Sequence, residues 1–139
     1  MDLLSAEKRI EIRFSEVDMM GVVWHGAYAK YLEDAREAFG LRYGLSYARY
    51  ISESVFAPIV ELNFSYRKPL RYGMTPLVRI TYRPTDAAKI VFDYEILDPG
   101  SGDVFLKATS VQVFMDKDYT LLWDAPAFYL EWKKHMGLI

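Results

Sequence analysis

Asp18 and His25 are the residues whose type and spacing offer chemistry in this chain. They stand in the run Ser15-Glu16-Val17-Asp18-Met19-Met20-Gly21-Val22-Val23-Trp24-His25-Gly26-Ala27-Tyr28. A strand-like run delivers Asp18, a turn centred on Gly21 follows, and a helix opens near His25 and Gly26. The first N–H groups of a helix have no intrahelical acceptor and lie at the positive end of its dipole, so they can hold an oxyanion. A carboxylate beside such donors is a minimal set for hydrolysing an acyl group. Taken on spacing alone, Asp18 reads first as a turn or capping aspartate, and a lone His25 as a structural imidazole. Gly21 reads as conformational, supplying a turn that needs positive φ.

The elements that must position these residues follow from periodicity. Arg9 to Ser15 alternates, with Ile10, Ile12 and Phe14 on one face, which predicts a strand leading into Asp18. Beyond Ala27 the period changes. Tyr28, Tyr31, Leu32, Ala35 and Phe39 form one stripe of a helix, and Lys30, Asp34 and Glu37 lie off it. Gly40 or Gly44 stops that helix. Ser46 to Phe56 reads as an irregular connection with a helical turn. After Pro58 the strands resume: Val60-Leu62-Phe64-Tyr66, then Leu77 to Arg83 with Val78, Ile80 and Tyr82, then Ile90-Phe92-Tyr94-Ile96. The turn Asp98-Pro99-Gly100-Ser101-Gly102-Asp103 precedes a long strand from Val104 to Met115, and Pro126 to His135 reads as a short helix. One helix followed by strands on tight turns predicts an α+β fold with a mainly antiparallel sheet. One helix leaves much of that sheet uncovered, which predicts a partner subunit.

Composition removes several classes of function. The 139 residues suit one domain, 1–139, and 52% hydrophobic residues supply its core. No apolar run is long enough to span a bilayer, and the N-terminus lacks a basic segment followed by an apolar one, so no leader is expected. Cysteine is absent, which excludes disulfides and thiolate nucleophiles and fits a cytosolic setting. The net charge of −2 gives no footprint for nucleic acid. With His25 and His135 as the only histidines, a zinc site is not expected, and neither a Gly-rich phosphate loop nor a Gly-x-Ser-x-Gly elbow occurs. No cofactor is called for. Aromatics at 16% suit a large core, a subunit interface or an acyl pocket.

The run Asp18-x-x-Gly21-x-x-x-His25-x-x-Tyr28-x-x-Tyr31-x-Glu33-x-Ala35-Arg36 resembles the signature of hotdog-fold acyl-CoA thioesterases. It is similar to the 4-hydroxybenzoyl-CoA thioesterase group, and within it to the aspartate branch of the Tol-Pal-associated acyl-CoA thioesterase. Tyr66-x-x-Pro69 before Gly73 matches the same pattern, and the resemblance spans nearly the whole chain. It implies the hotdog fold, a long helix wrapped by a five-stranded mainly antiparallel sheet, and hydrolysis of a thioester to free acid and CoA without metal or cofactor. It puts the catalytic carboxylate on Asp18, as general base or nucleophile, and the oxyanion donor on the backbone N–H at His25. It also implies an active site between two subunits whose sheets join edge to edge, hence a homodimer or homotetramer.

Around these two residues, Gly21, Trp24, Tyr28, Met19 and Met20 are substrate-binding candidates. Flexible Met suits irregular apolar ligands, and plain packing explains Met19, Met20 and Trp24 equally well. Tyr28 and Tyr31 read first as core. Glu33 and Arg36, spaced i, i+3, read first as a surface ion pair of ~0.2–0.5 kcal/mol. Arg67, Lys68, Arg71, Arg83 and Lys89 fall near strand ends, where they could meet coenzyme A phosphates; singly, each reads as solvated charge. Three rival readings remain: a non-hydrolytic acyl-thioester binder, a hotdog hydratase, and a subunit serving assembly alone.

Overall fold

The computed structural model describes residues 3–139. In chain order its elements are β1 (Ser5–Arg9), a 3-10 turn at Phe14–Glu16, a second at His25–Ala27 running into α1 (Tyr28–Tyr43), α2 (Tyr47–Ser52), β2 (Val55–Phe56), β3 (Ile59–Tyr66), β4 (Leu77–Arg83), β5 (Lys89–Leu97), β6 (Val104–Val113), β7 (Met115–Asp116) and α3 (Ala127–His135). Five strands form one sheet in the order β1-β4-β5-β6-β3, every pair antiparallel, and β2 pairs with β7 in a small ribbon. This is the expected hotdog arrangement of an α+β fold.

The helix lies across the sheet because its stripe is apolar. Tyr28, Tyr31, Leu32, Ala35 and Phe39 are all buried, whereas Lys30, Asp34 and Glu37 face solvent. Its 16 residues extend about 24 Å at ~1.5 Å each, and it packs on β1 and β4. Gly44, at φ 90°, ends it by accepting the left-handed conformation that other residues resist. The sheet meets the helix with Val78, Ile80 and Tyr82 of β4 and Ile90, Phe92, Tyr94 and Ile96 of β5, all buried. Its outer face carries Glu7, Arg79, Glu95 and Lys107 in register across four strands, a ladder of alternating charge suited to water.

The first strand differs from the expectation. It runs Ser5–Arg9, ahead of the alternating Ile10, Ile12 and Phe14. Ile10 still donates to the Pro76 carbonyl (2.9 Å) and Ile12 is buried, but the chain then leaves the sheet and Phe14 is 77% exposed. The cause is Glu16. Its carboxylate accepts the Arg13 N–H at 2.8 Å while its own N–H donates to the Arg13 carbonyl at 2.9 Å, which closes a 3-10 turn where a strand would need extension.

The two edges of the sheet are unlike. β1 is short and carries Glu7, Lys8 and Arg9, a charged edge that discourages further pairing. On β3 no residue is buried, although Val60, Leu62, Phe64 and Tyr66 alternate as core residues would. Among the described residues β3 has a partner on one side only, β6.

Candidate active site

Residues 16–24 form a small hairpin. Asp18 N–H donates to the Val22 carbonyl at 2.9 Å, Val17 bridges Val23, and Trp24 N–H donates to the Glu16 carbonyl at 2.8 Å. The tip closes through Gly21, whose N–H donates to the Asp18 carbonyl at 3.0 Å and whose φ of 73° is the positive value the turn required. The outer arm is fastened to the chain ahead of β4: Val23 N–H donates to Leu70 (2.8 Å) and Tyr72 N–H to Gly21 (2.9 Å).

Asp18 closes this turn as well as standing at the site. Its Oδ1 accepts the N–H groups of Met20 (2.9 Å) and Val22 (3.2 Å), and Oδ2 has no donor among the described residues. The residue is exposed. One carboxylate oxygen thus holds the loop while the other is available to a proton or an electrophile.

The opposite arm leads directly into the helix. Ala27 N–H donates to Trp24 (2.9 Å), so the N–H groups of His25 and Gly26 are the leading donors of the helical run, and neither has an acceptor among the described residues. The His25 side chain is exposed and lies tilted against Trp24, with ring centres 5.0 Å apart and planes at 47°. The Trp24 indole folds over Gly26 closely enough that any side chain there would collide with it. Tyr66, at the end of β3, donates its hydroxyl to the His25 carbonyl at 3.2 Å and packs edge-on against Tyr28 at 5.1 Å. The free sheet edge therefore ends at the helix entrance.

Glu16 was not among the residues singled out, and it is the buried carboxylate that sets this corner. It is 7% exposed and accepts the Tyr31 hydroxyl at 2.9 Å as well as Arg13 N–H. Lys30 stands 4.0 Å away at the surface. Burial first, and the bond to Glu16 second, push the Tyr31 hydroxyl well above its ordinary pKa, so it stays a donor. Tyr31 on a buried stripe needs an acceptor for its hydroxyl, and that requirement was the available signal for Glu16.

The other candidates divide. Tyr28 is buried, and burial raises its pKa too. Met19 and Met20 are 104% and 83% exposed, and Trp24 is half exposed. Arg71 bridges Val22 and so flanks the hairpin, while Lys68 pairs with Asp103 (3.2 Å) and Arg83 with Asp93. Glu33 and Arg36 form no ion pair within 4.0 Å among the described residues; both instead line a cavity of about 550 Å³ between α1, α2 and the Val55–Pro58 segment. None of the residues chosen as substrate-binding candidates lines it.

Comparison with known proteins adds the family. The family model described as the thioesterase-like superfamily matches residues 12–132. A Bacillus subtilis (strain 168) protein provisionally named acyl-CoA thioesterase YneP is 36% identical over 113 residues, 81% of each chain. The structure of a hypothetical protein, TT1821, from Thermus thermophilus superposes with a TM-score of 0.82 at 30% identity over 94% of this chain and 96% of that one. A DHNA-CoA thioesterase from Staphylococcus aureus superposes with a TM-score of 0.78 at 25% identity, over 96% and 92%. With a match over most of its length and the fold in agreement, the chain belongs to the thioesterase-like superfamily and is a thioester hydrolase of the hotdog fold.

Proposed function

We propose that this protein is an acyl-CoA thioesterase of the aspartate branch, the one similar to the Tol-Pal-associated enzyme, acting as a cytosolic homo-oligomer. Water adds to the thioester carbonyl carbon as Asp18 Oδ2 takes its proton. The oxyanion that forms is received by the backbone N–H at His25, and the C–S bond then breaks with return of the proton to the thiolate, leaving acid and CoA. In the nucleophilic variant Oδ2 itself attacks, the thiolate leaves, and water hydrolyses the mixed anhydride. The observation that carries the reading is the hairpin itself: one arm holds a carboxylate with a free oxygen, and the other opens a helix whose leading N–H groups lack acceptors.

The assembly we propose follows from the free edge. Two copies joining along β3 about a two-fold axis set the Pro58 end of one strand beside the Tyr66 end of the other. Each Tyr66–His25 corner then meets its partner's Val55–Pro58 segment, and Met19, Met20 and Trp24 lie where a partner and an acyl group can cover them.

The test is release of free thiol from a panel of acyl-CoA esters by the purified protein, with bound and released acyl groups measured in parallel. Turnover without added metal is expected. Stoichiometric binding without turnover would make the chain a non-hydrolytic binder, and hydration of an enoyl-CoA in its place would make it a hydratase. No binding of any thioester would leave only an assembly role.

A further inference from the structure

Tyr66 ends β3, and its ring is oriented from two sides. It stacks on Phe64 of the same strand, with centres 5.8 Å apart and planes at 23°, and meets Tyr28 of α1 edge-on at 5.1 Å. Half of the residue is nonetheless exposed, so little core packing depends on it. Held this way, the hydroxyl donates to the His25 carbonyl at 3.2 Å, across 41 positions of sequence. That carbonyl belongs to the His25–Gly26 peptide. In a planar trans peptide the C=O and N–H point in opposite directions, so a bond to one sets the aim of the other. The Gly26 N–H is therefore aimed away from Tyr66. The preceding peptide, Trp24–His25, is fixed in the same manner: its carbonyl accepts Ala27 N–H at 2.9 Å, which aims the His25 N–H. Neither leading N–H has an acceptor among the described residues.

We infer that Tyr66 is a positioning residue of the hydrolytic site: from the end of the sheet edge it holds and polarises the helix entrance that receives the oxyanion. The first peptides of a helix are the ones its own hydrogen bonds hold least. Here the entrance is a 3-10 turn of three residues, and neither Trp24 ahead of it nor Ala27 ahead of α1 supplies a side-chain cap. A capping oxygen would steady the turn but would occupy the N–H groups. Tyr66 restrains the turn from the carbonyl side and leaves them free. A carbonyl oxygen has two lone pairs, so it can accept this hydroxyl and a helical N–H together. The hydroxyl also draws electron density toward the oxygen, which makes the N–H of the same peptide a better donor. Donors set in advance need no reorganisation as charge develops on the thioester oxygen. The inference rests on the proposed thioesterase reading, and its geometry lies within one chain.

Tyr66→Phe keeps the ring on Phe64 and Tyr28 and removes the hydroxyl alone. With the best substrate of the acyl-CoA panel, kcat should fall roughly 3–10-fold at an unchanged KM, less than the ~10²–10³ that follows outright removal of an oxyanion donor. Tm and solution mass should stay as in the wild type. By NMR of isotope-labelled protein, the Gly26 amide nitrogen, bonded to the carbonyl carbon that Tyr66 addresses, should change its chemical shift in Tyr66→Phe, while Gly21 at the hairpin tip keeps its own. Site-specific replacement of Tyr66 by 3-fluorotyrosine, a more acidic phenol and so a better donor, should hold kcat at or above the wild-type value at neutral pH. An unchanged kcat in Tyr66→Phe would overturn this inference and leave the thioesterase reading intact. So would a loss carried by KM, a loss that accompanies a fall in Tm or mass, a loss without movement of the Gly26 resonance, or a 3-fluorotyrosine protein as slow as Tyr66→Phe. Failure of the wild-type protein to hydrolyse any ester of the panel would overturn both.

Discussion

Asp18 holds its loop through Oδ1, with two backbone N–H bonds, and presents Oδ2 outward. The two duties can be separated by substitution. Asp18→Asn retains a carbonyl oxygen for the loop but offers neither a useful base nor an anionic nucleophile. We expect kcat to fall by ~10²–10⁴ with fold and substrate binding kept, because general-base help is of that order. Asp18→Ala should lose as much activity and also loosen the turn, read as a lower Tm. His25→Ala should cost far less, since alanine presents the same backbone N–H. Near-normal turnover in Asp18→Asn together with none in His25→Ala, both folded, would reverse these roles. Glu16 makes a different kind of contribution. Glu16→Ala strips the acceptor from the buried Tyr31 hydroxyl and from Arg13 N–H, and an unsatisfied buried donor costs about 1–3 kcal/mol. Thermal unfolding should show this loss, with activity falling as the hairpin shifts. An unchanged Tm would mean that Glu16 does not hold the corner.

Among the elements, α1 was the most legible from sequence, because a 3.6-residue stripe buried on one side has no competing reading. β4 and β5 were legible for the same reason at period two. β1 was not, since Ser5–Arg9 is a polar edge strand with no alternation to see, while Ile10, Ile12 and Phe14 imitate a strand in a segment that Glu16 bends. The same gap hid Glu16 itself: it lies just beyond the alternating run, and only the fold brings the Tyr31 hydroxyl to it. The hairpin was visible as Asp18, Gly21 and His25, but the cavity was not, because Val55, Arg36 and Gln112 are brought together only by the fold. The helix ending separates the two glycines that the sequence offered as its stop. Gly44 is the stop, whereas Gly40 lies inside the helix, where a side chain would collide with the Leu45 backbone as the chain turns away. Helix propensity alone favours Gly40→Ala by about 1 kcal/mol. The collision outweighs it, so Gly40→Ala should lower the midpoint of denaturant unfolding. A rise in that midpoint would show that the Leu45 backbone yields.

At the scale of the whole molecule two consequences follow, one from the core and one from its open edge. The core hides Tyr31, Tyr50, Tyr82, Tyr94 and Tyr129, and burial raises the pKa of each above its ordinary 10.0. A folded pKa above the unfolded one means that the native state holds these protons longer. Their contribution is therefore intact below pH 10 and is lost as pH rises beyond it. Phenolate absorbance of these residues should appear together with loss of the circular-dichroism signal, not before it.

The open edge leads to assembly. Val60 and Tyr66 of β3 are 54% and 51% exposed, Leu62 and Phe64 are only partly covered, and the strand's outer hydrogen-bonding groups face no neighbour among the described residues. A bare apolar edge invites pairing, whereas the opposite edge is guarded by Glu7, Lys8 and Arg9. A second copy on β3 would continue the sheet, cover the apolar side chains, and bring the cavity rim of one subunit to the hairpin of the other. We expect a dimer, or a tetramer of such dimers, by light scattering at micromolar concentration. Val60→Lys puts a charge on a side chain that is already half exposed in the single chain, so the subunit should still fold. It should shift the mass toward monomer and remove thioesterase activity along with it. A wild-type protein that is monomeric and fully active would overturn the shared site. A Val60→Lys variant that stays dimeric would move the interface away from β3.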